Sequence, residues 1–519
     1  SGSGQQYTDD GESDIIISGS FPALTVGGQL PKTITMHSWY DLMPKVVMQN
    51  GLEINQDIDA SARLISTSYV FSGLPTKTTT YSYGTLTDGS SNPYLIPTTV
   101  TTPYLTITNQ VNVNGQIIKQ IQTSSQTGST SKVTDYTFYS DVTKPEYGLI
   151  NTVDGPRTGT VDKVTYVYDT YGNVSSQSQT VNGAVRSTQY IGFNNFAQPE
   201  RVVYPTGLVT QYIYNADGTL QSQVTGVGGS TGAITGQTTS YAYDTLKQKT
   251  SEKNPDGEVT LFTYDTVGRL IQTTLPNGNR IQKTYYPIGE VASEKSLSSA
   301  GGVANEIYQT LDVNGRVSKI QKGSDATRQF TSYSYDNNGN VIQTISAAGI
   351  IEKWSYDGFN RLVSHTDGAG NVDTKSYDSH DNVTTSKDAL NAGTNPFSYR
   401  NGSTLTQEVN SDYGTKTYSY NEADQLTQRL HGTRKCDYNN LDELGRYRAF
   451  ACAANSGTTA NEYQINDNYT YDQSRYGRLD KVSTGLTGFD VDTSYSYDAY
   501  DRITQKSTIN QLYNRYAGT

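Results

Sequence analysis

Cysteine occurs only twice in the 519 residues, tryptophan twice, methionine three times and histidine four times. So thin a supply removes whole classes of chemistry. Two cysteines cannot make a disulfide-dense or zinc-ribbon scaffold. The histidines, His37, His365, His380 and His431, are scattered without H-E-x-x-H or another ligand spacing. Charge is scarce as well: Asp, Glu, Lys and Arg make up 17% of the chain, with a net charge of −11. That balance leaves no basic footprint for nucleic acid. Runs of about 18 apolar residues are missing, so no helical membrane span is predicted. A lipid-embedded barrel is disfavoured too, because polar residues fill the positions between the aromatics. No signal-peptide pattern opens the chain, and export is expected to need a dedicated system. Neither a nucleophile elbow nor a phosphate-binding loop is found, so the chain is expected to be no enzyme and to use no cofactor.

What the chain does have is tyrosine and glycine, 42 and 48 residues respectively. A tyrosine-aspartate unit recurs about every 21 residues from Tyr166 to Arg502. Clean copies read YVYDTYGNVSSQ (166–177), LFTYDTVGRLIQT (261–273), YSYDNNGNVIQT (333–344), WSYDGFNRLVSH (354–365) and YSYDAYDRITQK (495–506). A period of this size is the mark of an array of identical supersecondary units. The anchor positions run Tyr168, Phe193, Tyr214, Tyr243, Tyr264, Tyr286, Leu311, Tyr335, Tyr356, Tyr377, Tyr399, Tyr420, Tyr438, Tyr471 and Tyr497.

Each unit predicts a β-hairpin. Pairs such as Phe262/Tyr264 and Trp354/Tyr356 are two residues apart and project from one face of a strand. The Ser, Thr and Val around them favour strand over helix. Asp or Asn follows, then two variable residues, then Gly, Asn or Asp, a sequence suited to an Asx turn closed by a residue with positive φ. Gly207, Gly257, Gly349 and Gly370 precede an anchor by seven residues, and Gly278 precedes Tyr286 by eight; they mark the turn between hairpins. No room remains for a helix. Hydrophobic residues are only 34% of the chain, too few for a large compact core. Low charge and many aromatics nevertheless argue for folding. About 15 hairpins give about 30 strands, and at roughly 4.8 Å per strand the sheet would extend on the order of 140 Å. A sheet of that length curls, so the expected fold is all-β, a long spiralling antiparallel ribbon around a hollow whose successive passes pair along exposed edges. A β-propeller is the alternative architecture, and the irregular repeat steps fit it poorly.

The Y-x-Y-D-x-x-G-R-L pattern resembles the Rhs or YD repeat of bacterial Rhs polymorphic toxins, of the B and C components of insecticidal Tc toxins, and of teneurins. The likeness covers roughly residues 160–505. It implies a β-sheet cocoon that sequesters a toxic or unfolded C-terminal polypeptide, in a protein that is secreted or held at the cell surface. The partners implied are that polypeptide, other shell segments and secretion machinery. The chain departs from the bacterial pattern in having no Asp-Pro dipeptide. The self-cleaving segment and the toxin are therefore expected to lie outside these residues, in a fragment, a processed product or a variant array without cargo.

Three further expectations concern particular segments. Residues 1–12 read as a linker or tail. Residues 13–155 read as β-rich, forming either a plug or the first wall strands, with degenerate copies near Tyr81–Tyr83 and Tyr136–Tyr139; residues 156–519 are the repeat shell. Cys436 and Cys452 flank a turn near Leu444, and either a disulfide or two reduced thiols is compatible with that spacing. Asp336-x-Asn338-x-Asn340 and Asp312-x-Asn314 imitate the opening of a calcium loop but lack its closing Glu, and turn chemistry accounts for them equally. Besides the shell, the sequence leaves open an adhesive module that binds surface glycans through exposed aromatics, and an enzyme hidden in the first 155 residues.

Overall fold

Alternation of aromatic and small polar residues produces strands wherever it occurs. The structure, a computed structural model, describes residues 6–9, 15–18, 31–36, 44–48, 51–181, 183–323, 329–390, 393–454, 465–471, 478–486, 489–498 and 502–512. Forty-two strands run from Gln6–Asp9 to Ile503–Leu512, and the described residues contain no helix. The strand pairings join neighbours in the sequence and are antiparallel, as in Val259–Tyr264 with Leu270–Thr274 and Ile351–Tyr356 with Leu362–Thr366.

Most described repeat turns share one geometry, while that after Tyr399 closes through Asn401 and Gly402, both at positive φ. The Asp265 carbonyl accepts from Gly268 N–H at 3.1 Å, and Asp265 N–H donates to the Arg269 carbonyl at 2.9 Å. Gly268 takes a φ of 90° and its counterpart Asn360 a φ of 61°. A tight turn closed by a left-handed residue leaves a one-residue bulge, and the register shifts just before the anchor at Tyr168, Tyr214, Tyr243, Tyr264, Tyr335, Tyr356, Tyr377, Tyr399, Tyr471 and Tyr497. Tyr420 likewise ends its strand, Gly414–Tyr420.

Two anchors need correction. The shift falls at Tyr285, and Tyr286 occupies the aspartate position, its N–H donating to the Glu290 carbonyl at 2.8 Å. Farther along, Asp442 opens the turn, so Leu441 is the anchor and Tyr438 lies three residues inside the strand Arg434–Leu441.

The ladder also continues upstream of residue 156. Gln6–Asp9, within the stretch read as a tail, pairs with Ile15–Ser18. Residues 1–5 and 10–12 lie outside the described residues, as does His37. Asp59 to Leu64 is a repeat turn, with Ala62 at φ 58° and Asp59 N–H donating to the Arg63 carbonyl. Thr152 pairs with Thr165 across the boundary drawn at 156. From Glu53–Ile58 to Ile150–Asp154 the strands thus belong to the same antiparallel ladder as the repeats.

Two units divide the chain: Ser1–Asp135 with Leu311–Lys319 and Thr327–Tyr418, and Tyr136–Thr310 with Ile320–Ala326 and Ser419–Thr519. Each has little apolar interior. In the first, Ile54, Leu86 and Val111 are the buried hydrophobics; in the second, Val181, Val202, Val209, Cys436 and Cys452. Each unit also brings chain segments together from 264 to 304 residues apart. In the first unit Gly402 N–H donates to Gln126 Oε1 at 2.6 Å and Asn401 N–H to Ser129 Oγ at 3.0 Å. The Phe71 ring fills the space where a Cβ on Gly358 would stand. In the second unit Arg157 Nη1 donates to the carbonyls of Asp442 at 2.8 Å and Glu443 at 3.1 Å, and Gln179 Nε2 to Glu443 at 2.9 Å.

These returning contacts differ from the expected edge pairing. The long margins of a hairpin ladder are made of turns, not strand edges, so passes meet through side chains and turn carbonyls.

Candidate functional site

The repeating chemistry centres on the tyrosine hydroxyl. Tyr168, Tyr214, Tyr264, Tyr335, Tyr356, Tyr377, Tyr399, Tyr471 and Tyr497 donate to backbone carbonyls of the preceding repeat at 2.6–3.2 Å. The accepting residue is usually the first one after the earlier turn, such as Val341 for Tyr356 and Leu362 for Tyr377. Each hydroxyl thus ties one hairpin to the one before it. Burial pushes the hydroxyls of Tyr335, Tyr356, Tyr377 and Tyr399 above the ordinary tyrosine value, keeping them protonated donors. Burial, aided by Tyr204, takes Tyr212 up to about 12. Tyr243 is half-buried and shifted upward chiefly by burial.

Aspartate and arginine complete the unit. Asp265 Oδ1 accepts from the N–H groups of Val267 and Arg269, while its Oδ2 takes Arg269 Nε at 2.7 Å. These hydrogen bonds, the Arg269 backbone N–H first, hold the Asp265 carboxyl below the usual carboxylate range. Arg269 then reaches forward, donating to the Tyr286 carbonyl and covering the Tyr285 ring at 4.8 Å. The same bridge recurs at Arg316 over Tyr335 and Arg361 over Tyr377. Sequence reading found the tyrosines and turn aspartates but gave the arginines no role. Their fixed place four residues after Asp was the available signal.

The repeat at residues 434–454 is built differently. Leu441 has no hydroxyl to give, and Tyr447 on the opposite strand donates to Leu426 O at 2.8 Å in its place. Cys436 and Cys452, direct cross-strand partners in this hairpin, form a disulfide.

The other sequence candidates resolve into packing. Asp336 Oδ1 accepts from the backbones of Asn338 and Asn340, and both amides turn to Asn360, which is turn chemistry. His365 stacks on Trp354 at 5.2 Å between Glu352 and Asp373. His380 stacks on Tyr104 at 4.7 Å and bonds Thr102 Oγ1 through Nε2 at 3.1 Å. His431 ends the strand Leu426–His431. Among the described residues no three potential ligands cluster around a metal position, and no helix is long and apolar enough to cross a membrane.

The RHS Repeat family model matches residues 248–280 and 356–392, both runs of the tyrosine-aspartate hairpin described above. No curated protein matches the chain. Among solved structures, the chain is similar to a crystal structure of TcdB2-TccC3 with Cdc42, at 13% identity and a TM-score of 0.45, over 96% of this chain and 29% of that one. It is also similar to a Tc holotoxin pore from Photorhabdus luminescens, at 13% identity and a TM-score of 0.39, over 95% of this chain and 34% of that one. A TcdB2-TccC3 structure without its hypervariable C-terminal region matches at 14% identity and a TM-score of 0.28, over 98% and 33%. The chain therefore spans about a third of the length of these proteins.

Proposed function

We propose that this chain, which matches the RHS Repeat family model over residues 248–280 and 356–392, is wall material of a shell that encloses a toxic or unfolded polypeptide. One observation carries the reading: a ladder of forty-two strands that buries only eight hydrophobic side chains among the described residues. A sheet of this size without an apolar interior is built to separate two spaces and not to pack a core. Carbonyls and hydroxyls satisfied within each repeat keep both faces polar enough to resist sticking to an unfolded chain. Half-exposed aromatic rings would offer that chain weak, reversible contacts.

On this reading the protein works by exclusion and carries no catalytic step. It is exported or displayed at the cell surface, and its partners are the enclosed polypeptide, further shell segments and the machinery of export. The test is electron microscopy of the purified chain, with protease digestion of a polypeptide expressed with it. A particle with a central void and protection of that polypeptide are expected. A filled particle, or digestion as fast as in free solution, overturns the proposal.

A further inference from the structure

The two margins of the hairpin ladder differ: one carries the turns opened by Asp or Asn, the other the turns between hairpins. Where distant repeats meet, a turn of the first kind rests on one of the second. In the first unit Phe359, two residues after Asp357, lies under Lys77 at 4.3 Å beside the turn at 71–74. His380, two residues after Asp378, stacks on Tyr104 in the turn at 102–105. In the second unit Thr158 N–H donates to Glu422 at 2.8 Å, and Leu444, two residues after Asp442, lines a cleft with Pro205, Val164 and Val181. Gly358, Asn401 and Gly402, in turns that meet in this way, are buried.

Earlier in the second unit the first margin is uncovered. Tyr171, Phe196, Leu246, Val267 and Ile288 each stand two residues after the one that opens the turn, the place held by Phe359, His380 and Leu444, and they are 57% to 89% exposed. Between them the Asn215 turn alone is polar there, with Asp217. A row of exposed apolar side chains marks a surface that another molecule covers. The opposite margin holds its complement. Pro205, on the cleft with Leu444, is half-buried, whereas Pro255 and Pro276, at the same place in the turns at 254–258 and 275–279, are exposed.

We propose that these margins are the two halves of one interface, and that a second copy of this chain docks by seating its turns at Pro255 and Pro276 on the row from Tyr171 to Ile288. The pairing continues the one that the chain makes within itself at Leu444 and Pro205. Turns on either margin recur every two strands, about 10 Å apart, so the two rows mesh at a common spacing. Unlike surfaces are joined, and association is therefore head to tail. Such a partner rests on the wall reading, where it is the further shell segment; it is detected by mass alone, so its absence is told apart from the absence of a void or of protection.

The experiment is sedimentation velocity of the full chain from micromolar to hundred-micromolar concentration. The mass of the wild type is expected to rise with concentration. Leu246→Glu with Val267→Glu blocks one margin, and Pro255→Glu with Pro276→Glu blocks the other. Each pair alone is expected to leave the chain monomeric while thermal unfolding stays cooperative, because all four positions are exposed. Mixed, the two variants are expected to form a complex of one copy of each, since each keeps the margin that the other has lost. The milder Leu246→Ala with Val267→Ala should weaken association by roughly tenfold or more, and it keeps the test decisive where a glutamate variant fails to fold. A wild type that stays monomeric, its margin then covered by a different polypeptide or by none, overturns the proposal. So does association of the alanine variant or of either glutamate variant at wild-type strength, or a mixture of folded variants that stays monomeric.

Discussion

A single tyrosine in this ribbon does two separable jobs. The ring of Tyr356 covers the sheet face, and its hydroxyl satisfies Val341 O at 3.1 Å, in a position that burial keeps protonated. Removing the hydroxyl alone, in Tyr356→Phe, is expected to cost about 1 kcal/mol. Removing the ring as well, in Tyr356→Ala, should cost about 3 kcal/mol. Urea unfolding separates the two, and equal losses in both variants would mean that packing contributes nothing. The anchors were legible because a period-2 aromatic pair before Asp fits little but a strand running into a turn. Tyr285 and Tyr286 defeated that reading because adjacent tyrosines present the same signal, and only the bulge tells which is the anchor. The arginine bridge was illegible because a guanidinium four residues after Asp reads as ordinary surface charge until its forward reach to the next tyrosine is seen.

At the scale of the hairpin, the turn survives loss of the anchor tyrosine. Asp59–Leu64 keeps the turn with Ile58 in place of tyrosine, and Tyr83, just past the strand Lys77–Ser82, still ties to it in the usual way, donating to Leu64 O at 2.9 Å under Arg63. The hairpin around Asp442 goes further, replacing the anchor hydroxyl by that of Tyr447 and adding the Cys436–Cys452 disulfide. Tyr447→Phe should therefore destabilise by about 1 kcal/mol, and by more once the disulfide is reduced, because each link limits the opening that the other must resist. Denaturant unfolding with and without reductant checks this. A free-thiol titration accompanies it: two reactive thiols in the unreduced, unfolded chain would remove the disulfide from the account. The copy at Asp59, unlike those near Tyr81–Tyr83 and Tyr136–Tyr139, escaped sequence reading because its letters changed. With Ile58 as anchor and Ala62 at the left-handed position, the tyrosine and the glycine of the pattern are replaced, although Asp59, Arg63 and Leu64 keep their places and the geometry is the same.

Across a whole unit, stability depends on where distant segments meet. In the first unit His380 lies at such a meeting, stacked on Tyr104 and bonded to Thr102, with its Nδ1 buried and unpartnered. Burial depresses its basicity below the ordinary value of 6.5, with Lys77 adding to that and Asp378 and Asp381 opposing it. A proton on Nδ1 would be a buried donor without an acceptor. The unfolded chain therefore takes up the proton first as pH falls. The contribution is complete above about pH 6.5 and is lost as pH drops below it toward the depressed folded value. Melting followed between about pH 7.5 and pH 5 should show falling stability, with a shallower slope in His380→Gln. An unchanged slope in the variant would place the titration elsewhere.

Sequence alone determined the strand, the turn and the repeat, because those depend on hydrogen bonds and dihedrals settled within about 25 residues, the range over which side-chain alternation and turn residues act. Tertiary structure decided which repeats touch across 264 to 304 residues and that they touch through turns and side chains. Those choices follow from small twists accumulated strand by strand, and a local sequence pattern does not encode their sum.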